Sequence, residues 1–120
     1  MKKILIVDDN SLIVEIMSYI LANKGYEVEA LDNGDEVLDH IRTNQPDLLI
    51  LDDDLPGMTG SEICKVMKSD EALKRLPVIM CSANDCIDAV LQQAGSPNDV
   101  LQKPFDIDAL IGKVELQLAA

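Results

Sequence analysis

The chain has 120 residues, of which 48% are apolar and 27% charged, which is ordinary for one compact globular domain and too apolar for a disordered chain. Ten basic residues against 22 acidic ones give a net charge of −12, which argues against direct binding of nucleic acid or of an anionic membrane surface. The three cysteines form no CxxC pair, no apolar run approaches the roughly 20 residues of a membrane span, and the N-terminus does not resemble a signal peptide. We therefore expect a single cytoplasmic domain over residues 1–120.

Short apolar runs alternate with stretches of helical apolar spacing along the chain. A continuous apolar run predicts a strand buried on both faces, and apolar residues at i, i+3 and i+4 predict an amphipathic helix. Asn10 or Ser11 is suited to cap the first helix, and Lys24 with Gly25 to end it. The predicted elements, in chain order, are strand 4–7, a helix from 11, strand 26–31, a helix around 37–41, strand 48–51, a helix from about 60, strand 78–81, a helix over about 85–94, strand 100–102 and a helix over 107–118.

Five strand–helix units predict an α/β fold, in which helices cover both faces of an open, doubly wound parallel sheet. A closed barrel of this kind would need eight such units. In open parallel sheets, ligands bind beyond the carboxyl ends of the strands. The side chains that directly follow the predicted strands are therefore the candidates for chemistry.

Acidic, hydroxyl and amine side chains follow four of the five predicted strands. Asp8 and Asp9 follow the first, Asp52 the third, Ser82 the fourth and Lys103 the fifth. Carboxylates held close together repel, so they either raise a pKa or bind a cation, and oxygen ligands favour Mg²⁺. An ammonium and a hydroxyl group are suited to hold phosphoryl oxygens. Together these groups are the parts needed to form an aspartyl phosphate.

Four short motifs occur in a fixed order: ILIVDD at 4–9, PDLLILD at 46–52 followed by LPGMTG at 55–60, PVIMCSA at 77–83, and KPF at 103–105. In this order and spacing they resemble the motifs of response-regulator receiver domains, and the resemblance covers essentially the whole chain. It implies a flavodoxin-like (βα)5 fold with strand order 2-1-3-4-5. It also implies a single receiver domain, with no output domain within these 120 residues.

The resemblance implies that Asp52 accepts a phosphoryl group from a histidine kinase or a histidine phosphotransfer protein. Asp8, Asp9 and Asp52 would hold Mg²⁺ together with the backbone carbonyl of Asp54. Asp53 and Asp54 place two further acids in the loop, where relatives often carry apolar or neutral side chains. Apart from its own phosphorylation and dephosphorylation, such a domain catalyses no reaction.

The same resemblance assigns Ser82 and Lys103 to the phosphoryl oxygens, with a cis peptide bond between Lys103 and Pro104. Phosphorylation would move Ser82 and alter the face formed by the fourth predicted helix, the fifth strand and the last helix, to which an output protein binds. Many relatives carry an aromatic residue in this fifth strand, where the chain has Val100. The usual coupling through an aromatic rotamer is therefore not expected here.

Two functions of other classes stay open from the sequence. A haloacid-dehalogenase-like phosphatase would use Asp52 as nucleophile and Asp54 as a second acid, although Pro56 stands where that motif has Thr or Val. A docking module that is never phosphorylated would use the same fold to bind a partner protein, without phosphoryl transfer to Asp52.

Other polar and reactive residues have simpler interpretations. His40 is interpreted as a surface histidine, Cys64 and Cys81 as core residues, and Cys86 as an exposed thiol. The apolar residues expected to form the buried stripe of the first helix are Leu12, Ile13, Ile16, Met17, Ile20 and Leu21. Val14 and Tyr19 fall outside that stripe, which suggests that they help to dock the protein that donates the phosphoryl group.

Overall fold

The computed structural model describes residues 2–82, 97–102 and 106–119. Five parallel strands form one sheet in the order β2-β1-β3-β4-β5, which confirms the predicted strand order. The strands end within one residue of the predicted positions, because each apolar run is followed by polar residues. They are β1 (Lys3–Val7), β2 (Glu27–Leu31), β3 (Leu48–Asp52), β4 (Val78–Ser82) and β5 (Asp99–Gln102).

The described residues contain four helices, which we number in chain order. The helix predicted over about 85–94 and the thiol of Cys86 lie outside the described residues. Asn10 caps the first helix, because its side chain accepts hydrogen bonds from the backbone N–H groups of Leu12 and Ile13. The helices are α1 (Ser11–Asn23), α2 (Val37–Asn44), α3 (Gly60–Ser69) and α4 (Ile107–Leu118).

Helices cover both faces of the sheet, so the core has two layers. Helices α2 and α3 pack on one face, and α1 and α4 on the other. All five residues of β3 and of β4 are buried, as expected for central strands of a parallel sheet. Cys64 and Cys81 lie in these layers as predicted, and burial raises the pKa of the Cys64 thiol.

The buried side of α1 differs from the prediction. Met17 and Leu21 are fully buried, but Leu12 is 63% exposed and Ile16 is 43% exposed, so their assignment to the core was wrong. Val14 is half-buried and packs against the core, which also corrects its placement outside the buried stripe. At about 100° per residue, Leu12 and Tyr19 lie more than about 120° around the helix from Met17 and face outward. Tyr19, at 74% exposure, was correctly predicted to be exposed.

His40 is half-buried, which corrects its interpretation as a surface residue. Its Nε2 atom lies 3.6 Å from one carboxylate oxygen of Glu29, and the other oxygen of that carboxylate lies 3.9 Å from the Nζ atom of Lys3. His40 of α2 therefore lies against the side of the sheet formed by β1 and β2.

The end of α3 is tied to α2 by Asp70. Its carboxylate accepts a hydrogen bond from the backbone N–H of Ala72 at 2.8 Å and pairs with the Arg42 guanidinium at 3.0 Å. The pKa of Asp70 is lowered below its usual value of 3.8, mainly by the hydrogen bond from Ala72 and to a smaller extent by the one from the Arg42 side chain.

Among the residues that the structure describes, none of the helices combines the length and the apolar character that a membrane crossing requires.

Candidate functional site

The strand order brings the predicted site residues to one edge of the sheet. β3 lies between β1 and β4, and Asp52 is its last residue. Asp8 and Asp9 directly follow β1, and Ser82 is the last residue of β4. In the β3–β4 register, Asp52 lies opposite Cys81, so Ser82 is one residue beyond it. Carboxyl ends of three adjacent strands therefore meet where the sequence predicts the site.

Three carboxylates converge at this edge. Asp8, Asp9 and Asp52 each offer one oxygen, and these three oxygens lie within 4.8 Å of one another. Asp8 is 3% exposed and Asp52 is 6% exposed, whereas Asp9 is exposed to solvent. Two unit charges at this distance repel by about 3.5 kcal/mol at an effective dielectric constant near 20. A divalent cation would offset that repulsion, and an all-oxygen donor set suits Mg²⁺.

The backbone holds two of these acids in place. Asp8 accepts a hydrogen bond from the backbone N–H of Asn10 at 2.9 Å. Asn10 thus both caps α1 and orients an acid of the cluster, a double role that the sequence analysis missed. Asp52 accepts a longer hydrogen bond from the backbone N–H of Asp54 at 3.4 Å.

Asp53 points its carboxylate to α3 and stands apart from the three-acid cluster. Its Oδ1 atom accepts a hydrogen bond from the Ser61 hydroxyl at 2.8 Å. Its backbone N–H donates to the Cys81 carbonyl at 2.9 Å, and its own carbonyl accepts from the Gly60 N–H at 3.1 Å. Asp53 therefore fixes the start of the β3–α3 loop, which comprises residues 53–59. The sequence showed Asp53 as an acid of this loop but gave no sign of the Ser61 contact.

The first residue of α3 lies directly against the end of β3. A Cβ atom on Gly60 would overlap the carbonyl oxygen of Asp52, so a larger residue would displace the strand end that carries the acid. Thr59 and Glu62 form a capping box that fixes where α3 begins. The Thr-x-x-Glu spacing was a readable signal for this helix start.

Ser82 and Val100 lie on β4 and β5, the two strands that follow β3 in the order of the sheet. Ser82 is buried and paired in register with Gln102 of β5. Val100 is buried as well and lies opposite Met80. Lys103 and Pro104, the other two predicted site residues, lie outside the described residues.

An open groove lies beside the acid cluster, between the start of α1 and the end of β2. Its volume is about 450 Å³. Carboxylates contribute much of its polar character, since it is lined by Asp8, Asp9, Ser11, Val14, Glu15, Ala30, Leu31 and Asp32. The approach to the cluster from this side is therefore acidic and favours positively charged groups.

Comparisons with known proteins agree on one family. The family model "Response regulator receiver domain" matches residues 4–115. The chain is 32% identical over 118 residues to the DNA-binding response regulator MtrA of Mycolicibacterium paratuberculosis, covering 98% of the chain and 51% of MtrA. The chain thus spans about half the length of the curated relatives it matches.

Solved structures show the same architecture. A crystal structure of a response regulator from Chloroflexus aurantiacus superposes with a TM-score of 0.90 at 38% identity, covering 99% of this chain and 98% of that one. The receiver domain of the sensor histidine kinase PA1611 from Pseudomonas aeruginosa superposes with a TM-score of 0.87 at 22% identity, covering 99% and 98%. That Pseudomonas structure holds a magnesium ion in its active-site cleft.

Proposed function

The chain belongs to the response regulator receiver domain family, and we propose that it is a phosphorylation-dependent signalling switch with Asp52 as its phosphoacceptor. The observation that carries the proposal is the convergence of Asp8, Asp9 and Asp52, each with one oxygen within 4.8 Å of the others. Asp52 is the acid at the end of the central strand β3, which lies between β1, directly followed by Asp8 and Asp9, and β4, which ends in Ser82.

The acid cluster fits a magnesium ion. Asp8, Asp9 and Asp52 would hold it, with the backbone carbonyl of Asp54 as a further oxygen ligand. When bound, Mg²⁺ would neutralise the carboxylates and the phosphoryl oxygens, so that two anions can approach each other. The magnesium ion in the Pseudomonas receiver domain, which has the same fold, supports this assignment.

Phosphoryl transfer would start from a phosphohistidine of a histidine kinase or a histidine phosphotransfer protein. A carboxylate oxygen of Asp52 attacks the phosphorus atom in line, and a new O–P bond forms as the P–N bond to the imidazole breaks. The electron pair of the broken bond stays on the imidazole nitrogen. Ser82 and Lys103 would hold the transferred oxygens through a hydroxyl group and an ammonium group.

An exposed apolar stripe on α1, formed by Leu12, Ile16 and Tyr19, supports docking of the phosphodonor protein. These side chains lie at i, i+4 and i+7, so they share one face of the helix. The stripe begins three residues after Asp9, and the acidic groove lies beside the same helix. We therefore assign donor docking to this stripe, which keeps Tyr19 from the sequence-based hypothesis and omits Val14, because Val14 packs against the core.

The phosphorylated state would change partner binding through Ser82 and Val100. Phosphorylation adds up to about two negative charges and three acceptor oxygens next to Ser82. Val100 is a small buried side chain, so the proposed signal passes by a shift of β4 and β5 and not by the swing of an aromatic ring. The proposed binding surface of the output protein is the one expected from the sequence, which combines β5 and α4 with the helix predicted over about 85–94.

A docking module that is never phosphorylated remains the competing function. The phosphatase alternative has less support, because the described acid cluster contains Asp8 and Asp9 and not Asp54. The net charge of −12 argues that this domain does not itself bind DNA, although MtrA is a DNA-binding response regulator.

Intact-mass measurement after incubation with acetyl phosphate and Mg²⁺ tests the proposal. Wild type, Asp53→Asn and Asp54→Asn should each gain one phosphoryl group, and Asp52→Asn should gain none. The neighbouring acids are matched controls, because each substitution removes one charge from the same loop. Steady release of phosphate from phosphate esters would point to the phosphatase, and an unmodified wild type to the docking module.

A further inference from the structure

Two loops that follow carboxyl ends of strands contact each other: the β2–α2 loop, residues 32–36, and the β3–α3 loop, residues 53–59. The backbone N–H of Gly34 donates to the carbonyl of Pro56 at 3.0 Å. The carboxylate of Asp35 accepts a hydrogen bond from the backbone N–H of Met58 at 3.2 Å. The first loop therefore holds the far end of the second through one backbone bond and one side-chain bond.

The conformation of Gly57 belongs to the same contact. Gly57 has a φ of +79°, and a Cβ atom there would lie 2.6 Å from the Asp35 carboxyl group. Only glycine allows both this backbone conformation and the close approach of the carboxylate. Residues 56–58 are thus shaped around the Asp35 side chain.

The near end of the β3–α3 loop is fixed separately by Asp53, through its backbone bonds to Cys81 and Gly60. Asp54 lies between the two fixed ends, and Leu55 after it is buried in the core. The carbonyl of Asp54 is the proposed backbone ligand of the cation. Its direction therefore depends on both ends of the loop.

We propose that Asp35 is a positioning residue for the metal site: it holds the β3–α3 loop so that the Asp54 carbonyl faces the cation. This inference rests on the proposed function, because it assumes that the acid cluster binds Mg²⁺. Asp35 itself touches no residue of the cluster in the contacts described above. It acts only through the backbone of residues 56–58.

Hydrogen exchange of the Met58 amide, measured by NMR without metal, tests the contact itself. The amide should exchange slowly in the wild type, nearly as slowly in Asp35→Asn, whose side-chain oxygen still accepts the bond, and fast in Asp35→Ala. Equal exchange in wild type and Asp35→Ala would overturn the proposal before any metal is added.

Calorimetric titration with Mg²⁺ tests the consequence. Residues that orient metal ligands typically change metal affinity by 10- to 100-fold, and because Asp35 is exposed we expect Asp35→Ala to weaken Mg²⁺ binding by about tenfold. Asp35→Asn should bind close to the wild-type affinity, which would separate the hydrogen bond from the charge. Gly57→Ala, which keeps every charge, should weaken binding as well.

Asp39→Ala is the matched control, since Asp39 is an almost fully exposed acid on α2 whose contact is with Arg42. An equal loss of affinity in Asp39→Ala and Asp35→Ala would mean that charge alone is responsible, and would overturn the inference, as would wild-type affinity in Asp35→Ala. A wild type that binds no Mg²⁺ would instead contradict the proposed function. Urea unfolding of each variant confirms that a loss of binding is not a loss of folding.

Discussion

Removing the charge of Asp52 should stabilise the metal-free protein. The oxygens of Asp8, Asp9 and Asp52 lie within 4.8 Å of one another, where each pair of charges repels by about 3.5 kcal/mol at an effective dielectric constant near 20. The net gain in the free energy of unfolding is smaller than this repulsion, because solvent surrounds the exposed Asp9 and because Asp8 and Asp52 make other interactions. We expect Asp52→Asn, which preserves side-chain shape, to raise the free energy of unfolding by about 1–2 kcal/mol.

Urea unfolding in the presence of a chelator measures this effect. When the measurement is repeated with Mg²⁺, we expect the wild type to be more stable than Asp52→Asn. A ligand at 100 times its Kd stabilises the folded state by about 2.7 kcal/mol, and we expect this gain in the wild type but little of it in Asp52→Asn. Asp47→Asn is the control: the Asp47 carboxylate accepts the backbone N–H of Lys3 at 2.8 Å, so its neutralisation should destabilise the protein. A metal-free Asp52→Asn that is less stable than the wild type would refute the repulsion argument.

Three further predictions concern acid stability, packing and donor docking. The pKa of Asp70 is lowered in the folded state, so its ionised carboxylate stabilises the protein at pH values above the usual pKa of 3.8, and this stability is lost as the pH falls. Asp70→Asn should therefore make the unfolding midpoint depend less steeply on pH in the acid range. Gly60→Ala should lower the free energy of unfolding by about 1–3 kcal/mol and weaken Mg²⁺ binding in a calorimetric titration. Gly112→Ala is the control, because the space around a Cβ atom at this position of α4 is open, and it should raise the free energy of unfolding by about 0.5–1 kcal/mol. Tyr19→Ala should slow phosphoryl transfer from a phosphohistidine protein but not from acetyl phosphate, and equal slowing of both would contradict docking at α1.

The sheet and its acidic edge were predictable because their signals are local. Each central strand is a continuous apolar run, and the acids Asp8, Asp9 and Asp52 directly follow such runs. Parallel strands place their carboxyl ends at one edge, so the convergence of these acids followed once five strand–helix units were recognised.

The rotation of α1 was not predictable from its composition. Apolar residues occur nearly all round this helix, so periodicity alone did not decide which side faces the sheet. Leu12 and Ile16 were consequently placed in the core, although the structure exposes them. The number of apolar residues on a helix predicts burial poorly when more of them are present than the sheet face can cover.

Contacts between loops also could not be predicted from the sequence. Asp35 and Met58 are 23 positions apart, and neither lies in a periodic pattern. Their hydrogen bond exists because β2 and β3 flank β1, which brings the loops after β2 and β3 near the same edge. The sequence likewise gave no sign that the Glu29 carboxylate lies 3.6 Å from the His40 ring, or that His40 is half-buried.

A crystal structure grown with Mg²⁺ tests directly whether Asp8, Asp9 and Asp52 bind the cation together. We expect one ion at the edge of the sheet, bound to an Asp52 oxygen and to the Asp8–Asp9 pair, with the Asp54 carbonyl completing its protein ligands at about 2.0–2.1 Å. The same crystals of Asp52→Asn should show weaker or absent density for the ion. An ion bound elsewhere on the wild type, or none at saturating Mg²⁺, would contradict a magnesium site at the three acids.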